Sequence, residues 1–134
     1  MVAEWQIRAL NGQGAEPASI PAGYRPLCRL DELADPGARG FRVRGQGDDD
    51  VFIVRRGAAV YGYRNRCPHN GVALEYQKDR FLNAAGSEIV CSAHGAHFAV
   101  ETGYCTYGPC QGDTLEPIPL LIDNGRVMMA LVDA

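Results

Sequence analysis

The sequence lacks any long hydrophobic run. A helix that spans a bilayer needs about 20 apolar residues, whereas the longest run here covers only residues 127–132, a length typical of a strand. The amino terminus also lacks a basic segment followed by an apolar core, so we expect no secretory signal. These absences predict a cytoplasmic protein with no membrane partner.

An excess of basic charge is also missing. The 13 Lys and Arg residues face 16 Asp and Glu residues, so the formal net charge is −3. Proteins that bind nucleic acid normally present a basic face, and we therefore expect no nucleic-acid partner. The glycine-rich motifs of nucleotide sites and the G-x-S-x-G motif of hydrolases are absent as well. The sequence thus contains no recognisable nucleotide site or serine nucleophile.

Helical periodicity is absent over any long stretch, which excludes a helical domain. Short helical turns fit at most around 31–35 and 75–81. Short apolar or alternating runs between Gly, Pro and Asp residues predict strands instead, at 25–30, 40–44, 51–56, 60–63, 87–90, 118–122 and 126–131. The Asn124-Gly125 pair between the last two runs is a strong hairpin signal. This pattern is typical of an all-β sandwich or barrel.

The chain has 134 residues, which suits one domain with an extension. Residues 1–23 contain several Gly and Pro breakers and are expected to form an N-terminal arm. Within this arm, Trp5 and Ile7 alternate with polar residues as in a short strand. Residues 24–134 are expected to form a single domain.

All three histidines and two of the five cysteines lie in one short stretch. Cys67 and His69 are separated by one residue, Cys91 and His94 by two, and a glycine follows each pair. Such spacing lets one tight loop present both side chains to a metal. Three interpretations are open: unligated core residues, tetrahedral zinc, or a [2Fe–2S] cluster with two Cys on one iron and two His on the other. The alternating order favours the cluster, because each loop can give its Cys to one iron and its His to the other.

The two loops resemble those of Rieske iron–sulfur proteins. The pattern C-x-H-x-G-x-x-L matches residues 67–74, and C-x-x-H-G-x-x-F-x-x-x-T-G matches residues 91–103. The resemblance covers about 24–132 and implies an all-β Rieske fold. In that fold an antiparallel sandwich or barrel base carries a small inserted cluster-binding subdomain, here about 64–112. The resemblance also implies one [2Fe–2S] cluster held by Cys67, His69, Cys91 and His94.

This resemblance implies a low-potential, soluble ferredoxin of bacterial type. Such a protein carries one electron at a time from a reductase to an oxygenase or another terminal oxidoreductase, and is not an enzyme by itself. Two alternatives are a small subunit of a larger reductase, like that of nitrite reductase, and a zinc-stabilised interaction module. A complete oxygenase is excluded, since its mononuclear iron would need two further histidines and a carboxylate.

Departures from the family pattern predict a low reduction potential. High-potential relatives carry a disulfide where this sequence has Val72 and Ala93, and Ser and Tyr hydroxyls where it has Ala96 and Phe98. Fewer hydrogen bonds stabilise the reduced cluster less, so we expect a potential toward the low end of about −150 to +300 mV. The potential should also fall with rising pH in the alkaline range, since the ligating imidazoles become more basic on reduction.

Several other residues allow two interpretations each. Cys105 and Cys110 flank a proline loop that the resemblance places over the cluster; a reducing compartment favours two packed thiols, and a small disulfide or redox-sensitive pair is the alternative. Cys28 is expected to be a small core residue. His97 is either close to the cluster or simply exposed. The acidic run 48–50 is a solvated turn or a patch that steers a basic partner.

Overall fold

The computed structural model describes residues 23–43, 49–68, 71, 73–75, 77–92 and 95–130. The N-terminal arm, apart from Gly23, lies outside these residues, and so does the short strand expected around Trp5 and Ile7. The described residues contain no α-helix, and no helix among them is long and apolar enough to span a membrane.

The described residues form three antiparallel sheets, which confirms the all-β fold class. A 3₁₀ turn at Leu30–Glu32 follows the first strand, where a helical turn was expected. The strands are β1 (Tyr24–Arg29), β2 (Gly37–Phe41), β3 (Val51–Arg56), β4 (Ala59–Arg64), β5 (Glu88–Cys91), β6 (Ala96–Ala99), β7 (Cys105–Tyr107), β8 (Pro117–Ile118), β9 (Leu120–Asp123) and β10 (Arg126–Ala130). The strand orders are β1-β10-β9 in the first sheet, β2-β3-β4-β8 in the second and β5-β6-β7 in the third.

The second sheet is the middle layer of the molecule. In β3, Val51 and Ile53 pack into a core shared with the first sheet, whereas Phe52 and Val54 pack into a core shared with the third sheet. A strand that is covered on both faces needs a continuous apolar run, and all four residues are buried. The first two sheets therefore form the base, and the third sheet lies on the opposite face of the middle layer.

The C-terminal hairpin confirms one prediction and corrects another. Asn124 and Gly125 both have positive φ, at 58° and 79°, and they connect β9 to β10 in the register expected for a two-residue turn. The single strand expected at 118–122 is wrong, however. Ile118 pairs with β4 of the second sheet, whereas β9 belongs to the first sheet. The chain changes sheets at Pro119, which has no N–H to continue a ladder.

The strand expected at 40–44 begins earlier and ends at Phe41. Beyond that point the Asp50 carboxylate accepts the Val43 N–H at 2.8 Å, so a side chain replaces the backbone ladder. The helical turn expected around 75–81 is a hydrogen-bonded turn, with Arg80 N–H donating to Gln77 O at 3.0 Å. Strands β6 and β7 were not predicted: β6 lies within the second histidine-containing motif, and β7 has only three residues.

Candidate metal centre

Cys67 and Cys91 occupy equivalent positions in the two loops. Both side chains are fully buried. The Gly71 N–H donates to the Cys67 carbonyl oxygen at 2.7 Å, and the Gly95 N–H donates to the Cys91 carbonyl oxygen at the same distance. Gly71 and Gly95 have φ values of 79° and 70°, which favour glycine. The two loops, which are similar in sequence, are therefore closed by the same hydrogen bond and the same glycine conformation.

A backbone hydrogen bond joins the two loops. The Ser92 N–H, next to Cys91, donates to the Leu74 carbonyl oxygen at 2.8 Å. Leu74 closes the first motif and is fully buried. The two loops therefore lie side by side, as a single centre held by both would require.

Asn65 is a structural residue that sequence reasoning missed. Its side chain is buried, donates to the Asp49 carbonyl at 2.9 Å and to the Glu75 carboxylate at 2.5 Å, and accepts the Leu74 N–H at 2.8 Å. Burial raises the pKa of Glu75, and the Asn65 hydrogen bond opposes that rise. The feature of the sequence that could have pointed to Asn65 is a polar residue between an apolar strand and Cys67.

The third sheet positions the proline loop beside the second cysteine loop. Ala96 and Phe98 of β6 are fully buried. A Cβ on Gly108 would lie 2.9 Å from the Ala96 Cα, so the loop can approach β6 this closely only with glycine at this position. The proline loop thus packs against β6, which lies within the second motif. Neither Ala96 nor Phe98 carries a hydroxyl that could donate to a cluster.

His97 is held by an acidic partner. Its Nδ1 lies 2.9 Å from Glu88 Oε1, and the Thr106 hydroxyl donates to Glu88 Oε2 at 2.9 Å. The Tyr107 ring meets the imidazole edge-on, with centroids 5.6 Å apart. Hydrogen bonds from His97 and Thr106 lower the pKa of Glu88. His97 therefore connects β5, β6 and β7 and is not simply exposed; its position close to the cluster stays a prediction.

The acidic run also has a structural role, contrary to the expected solvated turn. Asp48 lies outside the described residues. Asp49 forms an ion pair with Lys78 at 2.9 Å and is mostly buried, and Asp50 accepts the Val43 N–H. The two described carboxylates therefore hold loops together.

Cys28 matches the expected packing role in part. It is half-buried and packs against the core of the base. Burial raises the pKa of its thiol to about 11, so it is protonated near neutral pH.

The cysteine half of the expected ligand set fits an iron–sulfur cluster. Two buried thiols begin two matched glycine-closed turns, and cysteine thiolates are the usual ligands of such clusters. His69, His94, Val72 and Ala93 lie outside the described residues, so the histidine half stays a prediction. No group of three possible ligands is found in the part of the chain that the structure describes.

Comparison with known families identifies the class. Residues 24–121 match the Rieske [2Fe–2S] domain, which is most of the chain and contains both cysteine loops. The chain therefore belongs to the Rieske family and binds one [2Fe–2S] cluster, which excludes the zinc and unligated interpretations.

Within the Rieske family, the chain is similar to ferredoxins. The chain is 30% identical over 120 residues to the ferredoxin component of the alkene monooxygenase system of Xanthobacter autotrophicus, covering 90% of this chain and 89% of that protein. It superposes on the ferredoxin of carbazole 1,9a-dioxygenase from Nocardioides aromaticivorans IC177 with a TM-score of 0.64 and 27% identity, covering 81% and 98% of the two chains.

A further solved structure shares the fold. It is a complex of reduced oxygenase and oxidised ferredoxin in carbazole 1,9a-dioxygenase, with a TM-score of 0.66 and 21% identity over 85% of this chain and 98% of the matched one. Together with the ferredoxin relatives, the family match makes this chain a Rieske-type one-electron carrier.

Proposed function

We propose that this ferredoxin accepts one electron from a reductase and delivers it to a terminal oxygenase. The observation that carries the proposal is the 30% identity, over nine-tenths of both chains, to the ferredoxin component of a monooxygenase system. A free carrier is supported because that relative is also a separate component. A subunit of a larger reductase is the alternative.

The chain's own residues would hold the cluster in the way the motif predicts. Cys67 and Cys91 hold one iron, and His69 and His94 hold the other. When bound, the cluster supplies a single reversible electron at the potential that its surroundings set. The burial of Cys67 and Cys91 keeps water from their sulfur atoms. The hydrogen bonds of Asn65 hold the first cysteine loop in place.

Electrons would leave through the exposed side of the two loops. Arg66 and Ser92, which are adjacent to the buried cysteines, and Gly71 and Gly95, whose N–H groups donate to the cysteine carbonyl oxygens, are exposed. Tyr107, next to the proline loop, is 66% exposed, which is high for a large aromatic residue. We infer that these residues form the face that docks onto redox partners.

Two further proposals concern organisation and location. We infer that residues 24–134 form one domain and that residues 64–112 form its cluster-binding part, since this range contains the whole third sheet. We also infer a cytoplasmic location, where a reductase can draw on NAD(P)H.

Electron delivery tests the function directly. The dithionite-reduced holoprotein is mixed anaerobically with the resting oxygenase component of an alkene or aromatic oxygenase system, and cluster reoxidation is followed by absorbance. The proposal expects reoxidation that saturates with oxygenase concentration and product formation that requires this protein. A stable complex with a larger reductase on gel filtration, without turnover of any oxygenase, would favour the subunit alternative.

Replacement of the expected ligands tests the site. We expect His69→Ala and His94→Ala to abolish the rhombic, low-average-g electron paramagnetic resonance signal of the reduced protein, because each removes a ligand of one iron. His97→Ala is the matched control, since Glu88 engages its Nδ1. Likewise Cys67→Ser should lose the signal and Cys28→Ser should keep it. An unchanged signal in either ligand-histidine variant contradicts the assignment.

A further inference from the structure

Two buried cysteines outside the expected ligand set are in direct contact. The Sγ atoms of Cys105 and Cys110 lie 2.7 Å apart, and each residue is only 1% exposed. Both are free thiols. Disulfide sulfurs lie about 2.05 Å apart, so a bond between these two requires only a small approach of the sulfurs.

The backbone fixes both ends of the segment between them. The Cys105 N–H donates to the Asp113 carbonyl oxygen at 2.9 Å, and the Asp113 N–H donates to the Cys110 carbonyl oxygen at 2.9 Å. The Gln111 N–H closes an inner turn onto the Gly108 carbonyl oxygen at 3.3 Å. The segment is therefore a closed loop that holds the two sulfurs together.

The pair also lies close to an expected iron ligand. Cys67, Cys105 and Cys110 belong to one buried cluster. Because Cys105 and Cys110 are both buried, the dithiol is slow to react while the loop stays closed.

We propose that Cys105 and Cys110 are a reversible redox pair that closes into a disulfide by exchange with a small disulfide such as oxidised glutathione. One protein sulfur, as thiolate, attacks the small disulfide and releases one small thiol. The second protein sulfur then attacks the mixed disulfide and displaces the other small thiol. One S–S bond replaces two protein S–H bonds, and the two small thiols carry away both electrons and both protons.

Exchange requires the loop 106–112 to open, since both sulfurs are buried. Most of this loop is exposed, and it contacts the rest of the protein closely where Gly108 meets Ala96. Closure of the disulfide would join Cys110 of the proline loop covalently to Cys105 of β7, beside the second cysteine motif. The redox state of the pair would thus determine how freely this loop moves.

The pair can be assayed in the intact holoprotein. The protein is equilibrated anaerobically in glutathione buffers from reduced to oxidised, quenched with acid, denatured and alkylated with N-ethylmaleimide. Cleavage after Glu101 by a glutamate-specific protease, which leaves the Glu116–Pro117 bond intact, gives peptide 102–134, in which Cys105 and Cys110 are the only cysteines. We expect two maleimides per peptide in reduced buffer and none in oxidised buffer, with the peptide lighter by two hydrogens, and reversal when reduced buffer is restored.

Matched controls separate this geometry from general thiol reactivity. Cys28→Ser should close like the wild type, and Cys105→Ser should never yield the lighter peptide. Because the fold holds the sulfurs together, the ratio of disulfide to dithiol in the same buffer should be at least about tenfold higher in the holoprotein than in a synthetic peptide of residues 102–116. Two maleimides or bound glutathione in oxidised buffer, closure that does not reverse, or equal closure in the free peptide would each overturn the proposal.

Discussion

At the scale of single residues, the first cysteine loop depends on one buried amide. Asn65 uses its N–H₂ group and its oxygen to hold Asp49 and the adjacent residues Leu74 and Glu75, which are far from Asp49 in the chain. A buried polar group costs free energy unless it is hydrogen-bonded, and these bonds tie Asn65, two residues before Cys67, to two other parts of the chain. The residue therefore positions the loop that carries Cys67.

Asn65→Ala should lower the free energy of unfolding by about 1–3 kcal/mol, because it leaves the buried Leu74 N–H without its acceptor. Urea denaturation measures the change. Asn83→Ala is the matched control: its side-chain oxygen accepts the exposed Ser87 N–H and the partly buried Glu88 N–H. Neither hydrogen bond is fully buried, as that of the Leu74 N–H is, so this variant should cost less. Equal losses in the two variants would contradict this role.

Ala96→Ser should raise the reduction potential, because a hydroxyl at this buried position adds a donor next to the second motif. Voltammetry of the holoprotein measures the shift, and Phe98→Tyr should act in the same direction. Ala99→Ser is the control, since Ala99 lies on the opposite face of β6 from Ala96 and Phe98, which are buried. A rise in the control alone, or in none of the variants, would refute the argument.

At the scale of elements, the third sheet and its loop form one packed unit. Strand β5 ends at Cys91, β6 lies within the second motif, and β7 begins at Cys105. Glu88, His97 and Thr106 connect these three strands through side chains. The proline loop then folds back against β6, so its position depends on the close approach of Gly108 to Ala96.

Gly108→Ala should be more destabilising than Gly112→Ala. Both glycines have positive φ, at 106° and 98°, so both variants share a backbone strain of about 1–2 kcal/mol. Only at Gly108 would the new Cβ also clash with β6, whereas nothing lies within 4 Å of a Cβ at Gly112. Thermal unfolding compares the two, and equal melting temperatures would show that the loop does not pack as described.

At the scale of the whole molecule, a buried hydrogen bond helps to connect the base to the cluster-binding part. Tyr63 of β4 is buried, and its hydroxyl donates to the Val100 carbonyl oxygen at 2.7 Å. Its ring also packs near Phe52 of the middle sheet, with centroids 5.9 Å apart. Burial raises the pKa of Tyr63 well above its usual range, which links the packing of the two parts to pH.

Stability should therefore decline at alkaline pH. The unfolded chain ionises Tyr63 near pH 10, whereas the folded chain keeps it neutral, so the contribution is complete below about pH 10 and is lost as the pH rises toward the folded value. Urea denaturation from about pH 8 to 11 measures the decline. Tyr63→Phe should start less stable by about 1 kcal/mol and show a shallower alkaline decline; an equal slope would contradict the assignment.

Local patterns accounted for much of the fold, whereas the ligand set stays a prediction. The apolar run in β3 and the Asn124-Gly125 turn are properties of adjacent residues, and the structure confirms both. The single strand expected at 118–122 was wrong because Ile118 and Leu120 pair with partners in different sheets. Which partner a strand chooses depends on residues far away in the chain.

By itself, the sequence determined the family, the cluster type and the all-β class, because ligand spacing and turn chemistry act over a few consecutive residues. Only the tertiary structure decided that the middle sheet is covered on both faces, that Asn65 holds the first loop and that Cys105 meets Cys110. These features are contacts through space. Their free energy comes from burial and hydrogen bonding between segments that only the folded chain brings together.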